Sequence, residues 1–382
     1  MNFAKFIYQI FHWESWDWRV KYIPIVPSWV WYCFRSRAFW YFTPSNPGLV
    51  FGGFDGVSKS KMYQYFPEGS YPKTFYIKHS VSFNEVLSIV SQSQFSFPFI
   101  VKPDVGRMGL MFRIIRNTDD LRQYHQCMQY DYLIQEYIKY PLEVSVFYYR
   151  LPSQTKGRIT GFIKKEYLSV TGDGQSTLLD LINNCPRARF RQKELISKHK
   201  DQLNLVVPEA EVFHLSEALN LSRGGKLVHL EKEKDEQLLK IFDELSLYTK
   251  ELFYGRYDIK CNSIEELKLG KNFCILEFNG AGGEPHHVYG NNYTLLQANI
   301  ILSQHWDALY RISKENKQRG FNYWKFKEGL DYFLKANKQV SHLKKLDQQL
   351  QVWHLDEPVA KKLKTPLHIN PVIKNNSIAE LS

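Results

Sequence analysis

The stretch ILEFNG, residues 275–280, constrains this chain more than any other. It ends a short run that reads as a β-strand, and it sets Glu277 and Asn279 two positions apart. Side chains two apart on a strand share one face. A carboxylate and an amide oxygen projecting together make a seat for a hard cation. Just upstream, GRYDIK, residues 255–260, reads as a second strand and carries Asp258. If the two strands pair, three oxygen donors converge. That set suits magnesium, which takes oxygen ligands and keeps water and phosphate as its other partners. An E-x-N pair alone is a weak signal, because many such pairs face solvent.

A second constellation is FPFIVKPDVGRMG, residues 97–109. Lys102 closes an apolar strand and is followed by a proline and a glycine-bearing loop. A lysine so placed can meet phosphate oxygens as a point charge. Gly106 and Gly109 let backbone amides come close to a phosphate. The pattern is not GxxxxGK followed by Ser or Thr. Taken alone it fits a β-hairpin with a surface lysine equally well.

The 382 residues suffice for two or three domains with proper cores. Apolar residues at 44% and charged residues at 23% describe a globular chain. The formal net charge of +11 favours an acidic partner, whether phosphate, nucleotide, nucleic acid or an anionic membrane face. The basic run 187–200 lacks interleaved aromatics for base stacking, which speaks against nucleic acid. Cys33, Cys127, Cys185, Cys261 and Cys274 are scattered and form no CxxC pair, so neither a disulfide framework nor a zinc site is expected. Free thiols point to a reducing cytoplasm. No signal peptide and no run of membrane-spanning length is read. Aromatics crowd residues 11–18 and 29–42, the second run interrupted by Arg35 and Arg37. Two readings stand: rings packed into an N-terminal domain, or a basic aromatic surface in peripheral contact with a membrane.

The remaining pattern alternates helices and strands. A helix over 58–66 is broken by Pro67, Gly69 and Pro72. Another starts at Ser82, with Glu85 at the capping-box position. Strands are expected at 97–101, 110–115, 132–135, 143–149, 158–167, 257–261 and 273–278. Helices are expected at 119–129, from 177, over the basic stretch 186–204, after the charged start 231–236, and over 293–309. Apolar Leu238, Ile241, Phe242, Leu245, Tyr248 and Leu252 recur at helical spacing. Beyond residue 320 the chain turns polar and lysine-rich, and from about residue 358 its composition predicts disorder. There is no internal repeat.

The order VKP–glycine loop, QEYI, TGDG, NLSRGG, GRYDI, LEFNG resembles the ATP-grasp superfamily over about half of the chain. That superfamily includes D-alanine–D-alanine ligases, glutamate-adding ligases of the ribosomal-protein-modifying type, glutathione synthetases and cyanophycin synthetases. The resemblance implies an α+β fold in which two lobes sandwich ATP. Residues 1–90 would form an aromatic N-terminal substrate domain. Residues 91–320 would form the ATP-grasp domain, with a small lobe over 91–135 and a large lobe over 139–320, and residues 321–382 a basic polar extension.

Roles follow from the same resemblance. Lys102 resembles the lysine that contacts ATP phosphates, and 104–109, with Gly106 and Gly109, the loop that closes over them. Lys59 sits where the dipeptide ligases carry an upstream phosphate-contacting lysine, with Lys61 as its rival. Gln135, Glu136, Tyr137 and Ile138 resemble the adenine-binding hinge, and Glu143 the acid that holds the ribose. Asp258, Glu277 and Asn279 match the ligands of magnesium, for which manganese could substitute. Arg256 matches an arginine that stabilises the transferring phosphoryl group. NLSRGG resembles NLHRGG of the glutamate-adding ligases, which gives Asn220 a phosphate role and Arg223 a share in charge stabilisation. TGDG resembles a structural turn.

The implied reaction is ADP-forming ligation of a small-molecule or peptide-like carboxylate to an amine. Phosphoryl transfer to a hydroxyl and a membrane-surface binding module are the alternatives. The loop NGAGGEPHHVYG departs from the proline–glycine that many ligases carry here. Glu284, His286 and His287 could therefore contact the second substrate or move a proton, or simply face solvent. Arg150 could bind a substrate carboxylate or lie on the surface. The sequence sets neither the substrates nor the oligomeric state.

Overall fold

The structure, a computed structural model, describes residues 13, 16–93, 95–188, 191–215, 225–290 and 293–350. The expected disorder from residue 358 therefore lies outside the described residues. In chain order the strands are β1 (Thr74–Ile77), β2 (Phe99–Pro103), β3 (Arg113–Ile115), β4 (Tyr132–Gln135), β5 (Leu142–Tyr149), β6 (Arg158–Glu166), β7 (Ser169–Thr171), β8 (Val212–His214), β9 (Lys226–His229), β10 (Tyr254–Cys261) and β11 (Phe273–Asn279). They build a four-stranded sheet ordered β1-β4-β2-β3, a five-stranded sheet ordered β11-β10-β5-β6-β9, and the pair β7-β8. Every pairing is antiparallel.

The four-stranded sheet buries Phe99, Val101, Tyr132 and Ile134 against helices Phe83–Gln92 and Thr118–Cys127, which contribute Val86, Leu121 and Tyr124. Ser82 and Glu85 close the capping box read from the sequence. The small lobe begins earlier than residue 91, however. β1 pairs with β4 in the register Thr74↔Gln135 to Ile77↔Tyr132, so β1 and the helix after it belong to this sheet rather than to an N-terminal domain. The strand TFYI is too short to stand out as a pattern.

The extension expected from residue 321 is likewise integral. Helix Phe326–Gln349 sets Leu343, Leu346 and Leu350 in the small-lobe core, and Tyr332 and Phe333 against the aromatic cluster. Asp347 accepts from Arg113 Nη1 and from the Met111 amide, both at 2.9 Å. Exposed lysines along this helix mask the apolar stripe Ala336, Val340 and Leu343 in composition. The basic stretch 186–204 is also less helical than expected: a short 3-10 turn precedes helix Gln192–Lys198, and Leu205 O then accepts from Leu178 N at 2.8 Å.

The five-stranded sheet is covered on one face by helix Glu236–Thr249, whose Leu238, Phe242 and Leu245 meet Val144, Val146, Tyr257 and Ile259. Buried Cys261 lies in this core, and burial raises its thiol to about 11. Asp173 of TGDG accepts from the amides of Gln175 (2.9 Å) and Ser176 (2.6 Å), a turn that leads into helix Leu178–Asn184.

Many N-terminal rings pack inward. Trp40, Tyr41, Phe42 and Phe51 form one core with Phe253, Tyr254, Leu309 and Tyr310. Asn46 staples this segment to β10. Its Nδ2 donates to Gly52 O and Tyr254 O, both at 2.9 Å, while Oδ1 accepts from Phe253 N (2.8 Å) and Tyr254 N (3.0 Å). Asn46→Ala leaves those buried groups unpaired and is expected to lower stability by about 2–4 kcal/mol, read from urea unfolding midpoints. Beside it, Ala281 N donates to Gly52 O at 3.1 Å and Gly282 N to Gly53 O at 3.2 Å. A Cβ on Gly282 would lie 1.9 Å from Phe54 O, so this seam admits no side chain there. Among the described residues no helix is long and apolar enough to cross a membrane.

Candidate functional site

Strand alternation sorts the five-stranded sheet into two faces. While Tyr257 and Ile259 point into the apolar core, Arg256, Asp258 and Lys260 point the other way. Asp258 stands opposite Glu277 and Arg256 opposite Asn279. On the other flank Asp258 faces Ser145 and Lys260 faces Glu143, and Glu143 in turn faces Lys165 on β6. The result is a charged sheet face backed by hydrocarbon.

Asp258 is its hub. Lys165 Nζ donates to Asp258 Oδ1 at 2.9 Å and to Glu143 Oε1 at 3.1 Å. Arg256 Nη2 and Asn279 Nδ2 each donate to Asp258 Oδ2 at 3.0 Å, and Ser145 Oγ donates to Oδ1. Burial alone pushes this carboxyl up; Arg256 and Lys165 outweigh it and hold it well below the usual carboxylate range. Burial likewise disfavours the Lys165 charge, and Asp258 and Glu143 more than restore it, raising the ammonium above its ordinary value.

Arg256 reaches further, donating through Nη1 to Glu284 O (2.7 Å) and to His286 Nε2 (3.0 Å). Burial, then the Arg256 charge, keeps His286 neutral, well below the usual histidine value. Tyr289 OH donates to the Glu284 carboxylate. Glu284 and His286 thus stand at the Arg256 end of the charged face. His287 turns away. It is buried with its ring 6.2 Å from Phe147 and 5.2 Å from His305, and a Cβ at Gly161 would meet it at 2.1 Å.

Two lysines come to the β11 edge, Lys102 from β2 and Lys59 from the helix Lys59–Tyr63, whose Met62 and Tyr63 lie in the large-sheet core. Lys102 Nζ donates to Tyr63 OH at 3.3 Å and reaches Leu276 O at 3.5 Å. Burial first and Lys59 second push it down to about 8. Lys59 Nζ donates to Gly106 O at 2.8 Å and lies 3.8 Å from Glu277 Oε1, joining the glycine loop to Glu277. Lys61 is exposed on the helix Lys59–Tyr63. Gly109 is exposed with φ +68°, a left-handed conformation that glycine adopts without strain.

The Gln135 side chain is buried, and its Nε2 donates to Tyr63 OH (2.9 Å) and Thr74 Oγ1 (2.7 Å), while its Oε1 accepts from none of the described residues. In the hinge that follows, Glu136 is exposed and its amide donates to Lys73 O at 2.9 Å, while Tyr137 and Ile138 are half-buried. Arg150 is buried rather than at the surface. Its guanidinium donates to Gln154 O (2.7 Å) and Ser246 Oγ (3.2 Å) and stacks over Phe253 at 4.8 Å. Asn220 and Arg223 lie outside the described residues.

Sequence reasoning missed Lys165 and Ser145. The signal available was the alternation in ITGFIKKE, but only the sheet order brings β6 beside β5. As for a cation, Glu277 is half-exposed, and Asn279 Oδ1 accepts from none of the described residues. Among the described residues no three His, Cys, Asp or Glu side chains cluster as a ready cage. Two carboxylates and one amide oxygen still fit a hard cation that brings water or phosphate as its remaining ligands.

Residues 70–146 match the family described as a RimK-like ATP-grasp domain, a span from just before β1 into β5. No curated protein matches the sequence. Among solved structures, the chain is similar to a bifunctional glutathione synthetase from Pasteurella multocida at 12% identity and TM-score 0.39, covering 65% of this chain and 36% of that one. It is similar to D-alanine–D-alanine ligase from Bacillus anthracis at 16% identity and TM-score 0.39, covering 67% of each. The same enzyme complexed with ATP gives 15% identity and TM-score 0.40, with 67% and 66% covered. The chain thus spans only about a third of the glutathione synthetase. At these scores the likenesses carry no argument about activity.

Proposed function

We propose that this ATP-grasp chain, whose RimK-like segment spans the small sheet and the hinge, is an ATP-dependent carboxylate–amine ligase. The carrying observation is the meeting of two charged constellations at the β11 edge. Lys102 comes from the small sheet, Lys59 from the helix Lys59–Tyr63 that packs on the large-sheet core, and Arg256, Asp258, Glu277 and Asn279 from the large sheet, with Lys59 3.8 Å from Glu277.

Each group then has a task. Lys102 and Lys59 hold phosphate oxygens as point charges. The backbone around Gly106 and Gly109 lines the phosphates, and residues 136–138 take the adenine, with Glu143 at the ribose. Asp258, Glu277 and Asn279 would hold magnesium, which supplies charge neutralisation at the phosphates. Arg256, kept cationic and aimed by Asp258, stabilises charge on the transferring phosphoryl group. Asn220 and Arg223 would add to this from their own segment. A substrate carboxylate oxygen attacks the γ-phosphorus and ADP leaves; an amine then displaces phosphate. The protein itself supplies no covalent nucleophile.

The test is an ADP-release screen with amino acids, dipeptides and hydroxy acids, followed by mass spectrometry of products. Ligation yields ADP and free phosphate only when a carboxylate and an amine are both present. ADP without free phosphate, with a phosphorylated hydroxyl product, would replace this reading with a kinase. Release of neither, for any substrate pair, would leave a binding module.

Lys102 supplies a pH signature. Pushed down to about 8 in the free protein, it loses its charge as pH rises past that value. Nucleotide affinity is expected to weaken by up to about tenfold per pH unit above it, and Lys102→Met should flatten the profile. Titration with a fluorescent ATP analogue from about pH 7 to about pH 9 reads both.

A further inference from the structure

The aromatic N-terminal segment is only half used by the core. Helix Val26–Ser36 turns Trp29, Tyr32 and Cys33 inward, toward Tyr41, Phe42, Trp306 and Tyr310. Its opposite side is also apolar. Val26 (46% exposed), Val30 (59%) and Phe34 (75%) recur every four residues, Ile23 (61%) extends the stripe, and Trp31 stacks on Phe34 at 6.2 Å. Large side chains at this spacing form one continuous outward stripe.

The segment itself carries charge of a single sign, and the neighbouring helix adds Asp307, which Tyr32 OH meets at 3.3 Å on the inward side. Residues 18–54 contain no Asp or Glu, while they carry Arg19, Lys21, Arg35 and Arg37. The Arg35 guanidinium lies 5.7 Å from the Trp31 ring centre and 5.9 Å from that of Tyr310. Where the helix ends, a concavity of about 300 Å³ opens, lined among others by Arg37, Phe39, Lys317, Lys325 and Phe326 and by no acidic residue. Phe39 and Phe326, both exposed, meet edge to face at 5.4 Å. Apolar stripe and basic concavity adjoin through residues 34–39.

We propose that this face docks the protein on an anionic phospholipid bilayer. The helix lies in the interfacial plane with Ile23, Val26, Val30 and Phe34 at the acyl boundary. Arg37, Lys317 and Lys325 meet headgroup phosphates. An apolar stripe alone would suit a second copy of this chain equally well. The cationic segment and the acid-free concavity beside it select instead a partner that is apolar inside and negative at its surface. Two like-charged segments would repel each other. The proposal stands independently of the ligase reading.

The test is co-sedimentation of the full chain with phosphatidylcholine vesicles, either pure or containing about 30% phosphatidylglycerol. Binding to the anionic vesicles at least about tenfold stronger than to neutral ones is expected, weakening as salt shortens the Debye length. Phe34→Asp should reduce the bound fraction about tenfold, and Lys317→Glu several-fold. Both positions are exposed, so an unchanged thermal unfolding curve without vesicles serves as the folding control. No preference for anionic vesicles, or binding indifferent to Phe34→Asp, overturns the proposal. So does a dimer in size-exclusion chromatography that Phe34→Asp dissolves without any vesicle binding.

Discussion

Glu277→Gln is expected to lower ADP release by about 10³-fold or more while leaving the melting temperature nearly unchanged. The substitution keeps the shape of the side chain and removes the charge that would face magnesium. Little stability is at stake, because Glu277 is half-exposed and its one ion pair, to Lys59, spans 3.8 Å. Turnover equal to wild type in a folded Glu277→Gln protein would sink the assignment of the oxygen ligands. The comparison requires saturating magnesium–ATP, so that weakened binding is not read as lost chemistry.

Asp258→Asn is expected to act on both fold and activity. Its carboxylate is buried and carries two cations, Lys165 at 2.9 Å and Arg256 at 3.0 Å. Neutralising it strands those charges in a low-dielectric sheet face, and breaking a buried pair in this way costs about 3–5 kcal/mol. The pH dependence gives the signature. The folded carboxyl is held below its unfolded value, so its stabilisation is complete above the unfolded pKa of about 4 and is lost as pH falls toward the folded one. The stability gap between wild type and Asp258→Asn should therefore be constant near neutrality and shrink in acid. A gap that stays constant down to the lowest pH at which both proteins fold would show that the Asp258 charge contributes nothing. Urea unfolding at a series of pH values measures it.

Much of this site was legible from local pattern. Glu277, Asn279 and Asp258 announce themselves because strand alternation is a two-residue rule, and the observed pairing sets Asp258 directly opposite Glu277. Lys102 and Lys59 were found one at a time; their joint approach to β11 depends on how the two sheets meet, which no window of sequence encodes. Lys165 was invisible for the same reason. Its partners, Glu143 and Asp258, lie on two other strands, and only the order β10-β5-β6 brings all three together. Gln135, placed at the hinge by resemblance, gives its amide nitrogen to Tyr63 and Thr74, which lie 72 and 61 positions upstream and which no local pattern reveals. The lysine-rich helix Phe326–Gln349 shows that composition averages over a helix whose two faces differ. Its Leu343 and Leu346 sit in the small-lobe core, while Leu334 is exposed.

The Asn46 staple also sets an order of events during synthesis. Its carbonyl partner on β10, Tyr254, lies 208 positions downstream. At ribosomal speeds of about 5–20 residues per second, Asn46 waits roughly 10–40 s for it. Trp324, which pairs with Trp40, comes later still. Throughout that interval the ring-rich segment around Trp40 to Phe54 has emerged before the strands that bury it. Such exposed apolar surface is aggregation-prone, so variants that slow completion of β10 are expected to appear first as insoluble protein.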